Sequence, residues 1–130
     1  PTDAIVKFHQ SMKETEEYGF DKVRDEQQEL GDKVRALLAA HGFKSLAAKG
    51  FEAPGVVVCY TDDPDIQNGS KFAAAGLQTA AGVPLMCDEP DDFRTFRVGL
   101  FGLDKLHNVD RTVASLEKAL SHVTGGTNVR

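Results

Sequence analysis

The stretch "TFRVGLFGLDKL", residues 95–106, decides how the rest of the chain has to be arranged. Its first half reads as a buried strand, yet Arg97 stands in the middle of that run and Gly99 and Gly102 interrupt its end. With a period of two, Phe96, Val98 and Leu100 share one face, while Thr95, Arg97, Gly99 and Phe101 share the other. The first face predicts contact with a core. The second carries a guanidinium beside a glycine, and the missing side chain leaves room for a ligand or another backbone. An interior arginine without a partner is strongly unfavourable, so Arg97 needs an anion or a route to water. Its planar fork suits two-point binding of a carboxylate on a ligand. The other reading is a salt bridge to one of the local Asp or Glu side chains.

A strand with one apolar face calls for helices to cover it, and the flanking segments supply them. "NVDRTVASLEKALSHV" (108–123) has Asn108 as an N-cap and an apolar stripe of Val109, Val113, Leu116, Leu120 and Val123. "FDKVRDEQQELGDKVRALLAAHG" (20–42) places Val23, Gln27, Leu30, Val34, Leu37 and Leu38 on one stripe and stops at Gly42. Before it, "PTDAIVKFHQSMKETEEYG" (1–19) offers Thr2 or Asp3 as N-cap and Ile5, Phe8 and Met12 as a helical face; Gly19 bends what could be one long helix. "KSLAA" (44–48) reads as a short strand and "GVVVCYT" (55–61) as a buried one, ended by the "DDPD" turn at Pro64. "IQNGSKFAAAGLQTAAG" (66–82) predicts an alanine-rich helix capped near Asn68 or Ser70 and closed by Gly82. "VPLMC" (83–87) predicts a short strand, "DEPDD" (88–92) an acidic loop and "TGGTNVR" (124–130) a flexible tail. The expected fold class is α+β: a short, mostly antiparallel sheet with helices packed on one face.

Length and charge narrow the function classes. A chain of 130 residues fits one domain with a core of its own. Hydrophobic residues at 41% and charged residues at 27% are ordinary for a globular protein. The net charge is -5, and the 15 Lys and Arg are scattered among 20 Asp and Glu without a basic stripe, which argues against nucleic acid as a partner. Cys59 and Cys87 have neither CxxC nor Cys/His spacing, so neither a zinc site nor a disulfide framework is indicated and a reducing cytoplasm fits. No apolar run reaches the ~18 residues of a membrane span. The chain starts at Pro1 without an initiator Met, as a processed product or a piece of something longer would.

The motif-bearing enzyme classes have no foothold: GxGxxG after a strand, the P-loop, HExxH and GxSxG are all missing. His9, His41, His107 and His122 fall on four segments and read as surface or capping residues. "CDEPDD" (87–92) lacks the spaced oxygens and glycine of a calcium loop, so no metal is expected. Cys59 reads as a small core residue; Cys87 borders the acidic loop. Lys49, in "AAKGFEAPG", would be a Schiff-base candidate if desolvated, and a turn lysine otherwise.

Taken together, "FRVGLFGLDKLHNVDRTVASLEKAL" closely resembles the C-terminal segment of class V pyridoxal-phosphate aminotransferases, the alanine/serine–glyoxylate aminotransferase group. That family carries an "(L/F)RIGxxG" strand, an "NVD"-type helix start and a final helix ending "LExAL". "PTDAI" looks like its "PT..L" exit from the large domain, and "APGVVV" and "AAGVPL" sit where it places small-domain strands. The resemblance runs to about Val123. It implies a small domain over residues 1–123, with residues 1–20 as a helix linking from a large domain. It implies that Arg97 binds the α-carboxylate of an amino acid or 2-oxo acid such as glyoxylate or pyruvate. Pyridoxal 5'-phosphate, its lysine, the aspartate at its pyridine nitrogen and the phosphate cup would belong to the large domain. Lys49 follows the "PT..L" segment and is not the cofactor lysine. The fragment alone is expected to be inactive, with no catalytic residue of its own, and the full enzyme to be a cytoplasmic homodimer. The competing expectation is a stand-alone α+β ligand-binding or interaction module without catalytic activity.

Overall fold

The computed structural model describes residues 1–125. The chain opens with two helices, α1 (Thr2–Tyr18) and α2 (Phe20–Ala40), divided at Gly19 with φ 107° and ψ 120°. Side chains rarely tolerate that backbone, so of the two readings the chain takes two helices interrupted by a glycine, not one bent helix. α1 begins directly after Pro1, and neither Thr2 nor Asp3 caps it with a side chain. Its apolar stripe is open to solvent: Ile5, Phe8 and Met12 are 68, 67 and 54% exposed. Amphipathic spacing sets the helix but does not supply a partner that buries this face, and α1 has no buried residue. Near the hinge, Tyr18 donates a hydrogen bond to Glu26, stacks against His107 at 4.6 Å and lies under the Lys22 ammonium at 4.2 Å.

In α2, Leu30, Val34 and Leu38 are fully buried. The strand expected at 44–48 is reduced to a single bridge between Ser45 and Cys59, with Leu46 N donating to Val58 O and Tyr60 N to Lys44 O, each at 2.9 Å. β1 (Val56–Tyr60) follows, and Pro64 ends its run by becoming the first residue of α3 (Pro64–Gln67). Asp63 caps that helix, its carboxylate accepting from Asp65 N at 2.8 Å.

The alanine-rich helix expected over 66–82 is not continuous. After α3 the chain turns through Gly69 (φ 83°), forms α4 (Ser70–Ala74) and leaves it at Gly76 (φ 84°). Of the two expected caps, Asn68 accepts from Ser70 N at 2.8 Å. Ala80 and Ala81 form β2 instead, opposite Arg97 and Phe96. Helix propensity of alanine is overridden here by an open strand edge that needs partners. The strand expected at 83–87 is absent: Gly82 N makes a last bond to Thr95 O, and Pro84 shortly after has no N–H to extend the ladder. Val83, Leu85 and Met86 are 53, 47 and 88% exposed.

β3 (Thr95–Gly99) is the central strand of a three-stranded antiparallel sheet ordered β1-β3-β2. α5 (Leu103–Leu106) leads into α6 (Val109–Gly125), where Asn108 accepts from Arg111 N at 3.0 Å as expected of an N-cap. Thr124 and Gly125, assigned to a tail by sequence, complete α6. The rest of that tail, 126–130, lies outside the described residues. The fold is α+β, as expected, with the core between one sheet face and the helices: Leu30, Val34 and Leu38 of α2 and Leu116 and Leu120 of α6 meet Val57, Cys59, Phe96 and Val98, with Phe72 of α4 closing one end.

Period two holds along the opening strand. Phe96, Val98 and Leu100 are 0, 9 and 3% exposed, whereas Gly99 and Phe101 on the other face are exposed. Thr95 departs from this pattern at 2% exposure, because Gly82 lies directly over it. A Cβ at residue 82 would fall 2.7 Å from Thr95 Cβ and 2.9 Å from its carbonyl carbon. Gly82→Ala is therefore expected to cost about 1–3 kcal/mol through overpacking. Urea unfolding measures it, and an unshifted midpoint would mean that residues 80–82 peel from β3 at no cost.

Candidate functional site

Arg97 projects from the middle of the central strand onto the face away from the core, between Val58 of β1 and Ala80 of β2. Val56, Tyr60 and Gly99 share this face by register. Arg97 is the charged residue among these strand positions, set in apolar and small neighbours. It is half-buried, and its Nε donates to Ala81 O at 2.9 Å, which fixes the plane of the guanidinium against β2. The local salt bridge left open by the sequence does not form: among the described residues no carboxylate lies within 4.0 Å of Arg97. One of five N–H donors is committed, leaving the fork able to receive a carboxylate.

The surroundings keep that approach open. A Cβ at Gly99 would meet nothing within 4 Å. Beyond it, the 66%-exposed Phe101 lays its ring against Gly55, where a Cβ would come within 2.7 Å of the ring carbon Cζ. Gly55 is thus what allows an aromatic ring to lie along this face.

Two other arginines have a different role, and the sequence alone does not separate them from Arg97. Arg35 donates to Ser45 Oγ (3.2 Å), Ala53 O (2.7 Å) and Val56 O (3.1 Å), holding the 45–56 loop onto α2. Arg94 donates to Gln67 Oε1 (3.0 Å) and Asp62 O (3.1 Å), tying the entry to β3 to α3. Both guanidinia act as staples on loop carbonyls. In the sequence Arg35 is one charge on a helix and Arg94 one charge before a strand, positions that many surface residues share.

Lys49 is exposed in a turn where Glu52 accepts from Gly50 N at 2.6 Å, so it lacks the desolvated setting that imine chemistry needs. The remaining lysines are exposed or half-buried. The half-buried pair are occupied, Lys33 by Glu29 (2.8 Å) and Asp110 (2.9 Å), Lys105 by Phe101 O (2.8 Å). These residues do not form a cradle for pyridoxal phosphate, and no step of amino transfer is assigned to them.

His9, His107 and His122 are exposed, and His41 lies against Thr124 at 3.1 Å. Among the described residues no group of three His, Cys, Asp or Glu is placed to hold a metal ion. None of their helices is long and apolar enough to cross a membrane.

Cys59 is 2% exposed, and burial pushes its thiol up to about 11, with Arg35 opposing that shift weakly. Cys87 is exposed, and its thiol is raised chiefly by its hydrogen bond to Glu89 Oε1, at 3.2 Å, which stabilises the protonated form. A thiol reagent at neutral pH is expected to titrate only Cys87 in the native chain, and slowly, with Cys59 appearing on denaturation. Rapid labelling of both in the native chain would show that the β1 core opens readily.

Comparison with protein-family models and with curated proteins returned no match to this chain.

Proposed function

We propose that this chain is the C-terminal small domain of a class V pyridoxal-phosphate aminotransferase of the alanine/serine–glyoxylate type. In this reading it closes over the active site of a large domain and binds the substrate α-carboxylate through Arg97. The observation that carries the reading is the half-buried guanidinium on the open sheet face, oriented by Ala81 O and without a carboxylate within 4.0 Å among the described residues. The open stripe of α1 is a second support, since a linking helix lies between two bodies and needs apolar contact with both. Pyridoxal phosphate, when bound by the large domain, supplies the electron sink for amino transfer. The chain's own part is positional: Arg97 fixes one end of an amino acid or 2-oxo acid, and a rigid central strand limits how far that end can drift.

The test is to extend the reading frame upstream, express the whole cytoplasmic protein and measure amino transfer from alanine or serine to glyoxylate or pyruvate with added cofactor. Activity in the homodimeric full-length protein and none in this chain is the expected result. A start codon next to Pro1, or an imine absorbance when cofactor is added to this chain alone, would overturn it; the former would leave a stand-alone binding module.

A further inference from the structure

On the opposite side of β3 from Arg97, a cleft of about 270 Å³ opens between the strand end, α5 and α6. Its floor is apolar, made by Val34, Val98, Leu100 and Leu116, four residues of the core at 0, 9, 3 and 5% exposure. Lys105 and Arg111 stand in its lining. Arg111 Nη2 donates to Asp104 O at 3.0 Å, and among the described residues no carboxylate lies within 4.0 Å of that guanidinium. Lys105 donates to Phe101 O at 2.8 Å, with Asp104 at 4.0 Å. Two cations against one carboxylate leave the lining electropositive in a chain whose net charge is -5.

We infer that this cleft binds a small amphipathic carboxylate, with its hydrocarbon part on the apolar floor and its head at Arg111 and Lys105. A concave apolar floor open to water, with a few polar groups converging on its mouth, is the arrangement that small-molecule sites share. Filling it covers the apolar surface still open at Val98, Leu100 and Leu116 and at the half-buried Leu77 and Thr112 beside them, which a purely polar anion cannot do. The volume holds about nine groups at ~30 Å³ each, the share of one water molecule in the liquid, so a chain of about eight carbons fits with its head at the rim. The site is separate from the Arg97 face, because Val98 and Arg97 alternate to opposite sides of the strand.

Octanoate, octanol and acetate, titrated separately into the ¹⁵N-labelled chain, distinguish the possibilities. Octanoate is expected to give saturable amide shifts at Gln78, Ser115 and Leu116 with a dissociation constant of about 1 mM or tighter, some -4 kcal/mol. Arg111→Gln should weaken octanoate at least fivefold and leave octanol unchanged. Ser115→Phe, at an exposed position lining the cleft, should block both ligands without altering the fold. Acetate, lacking a chain, should leave the cleft amides unmoved; its shifts at Arg97 report on the proposed function independently. The inference is overturned if octanoate shifts nothing in the cleft up to ~10 mM, ten times that constant. It is equally overturned if octanol binds as well as octanoate, or if octanoate shifts centre on Arg97.

Discussion

Phe96→Ala is expected to destabilise the chain by about 3–5 kcal/mol, the cost of emptying a fully buried aromatic position. Phe96 is fully buried in the central strand, with Phe43 edge-on at 5.1 Å and Phe72 at 5.5 Å. It is paired across the sheet with Cys59 on one side and Ala81 on the other, so backbone on both sides limits how far the structure can close on the void. A domain of this size has a stability of ~5–15 kcal/mol, so the loss would bring a weakly stable chain to the edge of unfolding. Urea unfolding with an unchanged slope and a lower midpoint would report it. A loss below about 1 kcal/mol would mean that Phe43 and Phe72 collapse into the space, contrary to their close-packed setting.

Arg97→Ala should leave folding nearly intact while removing the proposed carboxylate contact. In this chain it gives up one hydrogen bond to a main-chain carbonyl, about 0.5–1.5 kcal/mol. In the full-length aminotransferase of the proposal it removes a partly desolvated charge pair, and kcat/KM for the 2-oxo acid should fall by about 2–5 kcal/mol, or ~30- to 5,000-fold. Arg97→Lys should recover only part of that, because an ammonium cannot present a two-pronged planar donor. Steady-state kinetics on the oxo acid decide the matter, and an unchanged kcat/KM in the alanine variant would remove Arg97 from substrate binding.

The fold is legible in the sequence where one residue pattern has one physical outcome. The 20–42 and 108–123 stripes became α2 and α6 because a wide apolar face at helical spacing finds a core when another apolar face is available. The fold is not legible where the outcome depends on a distant partner. The alanines at 80 and 81 favour helix by propensity, yet they pair with Arg97 and Phe96 because the open edge of β3 required hydrogen bonds. At 83–87 the apolar composition suggested a strand, but Pro84 and the lack of a further ladder partner leave those residues exposed. Ile5, Phe8 and Met12 set a helix correctly and revealed nothing about what it packs on.

The candidate site divides along the same line. Period two alone placed Arg97 on the face away from the core and Gly99 beside it, since alternation is a property of the strand itself. Whether a local Asp or Glu would neutralise that guanidinium depends on loops folded from distant segments, and their arrangement leaves Arg97 bonded to Ala81 O while Arg35 and Arg94 take up the stapling of loops. The sequence by itself determined the helical stripes, the alternation of β3 and the composition of its two faces, all local consequences of side-chain spacing. Only the tertiary structure decided the β1-β3-β2 pairing, the short second strand and the freedom of the Arg97 fork, because each rests on contacts between segments far apart in the chain.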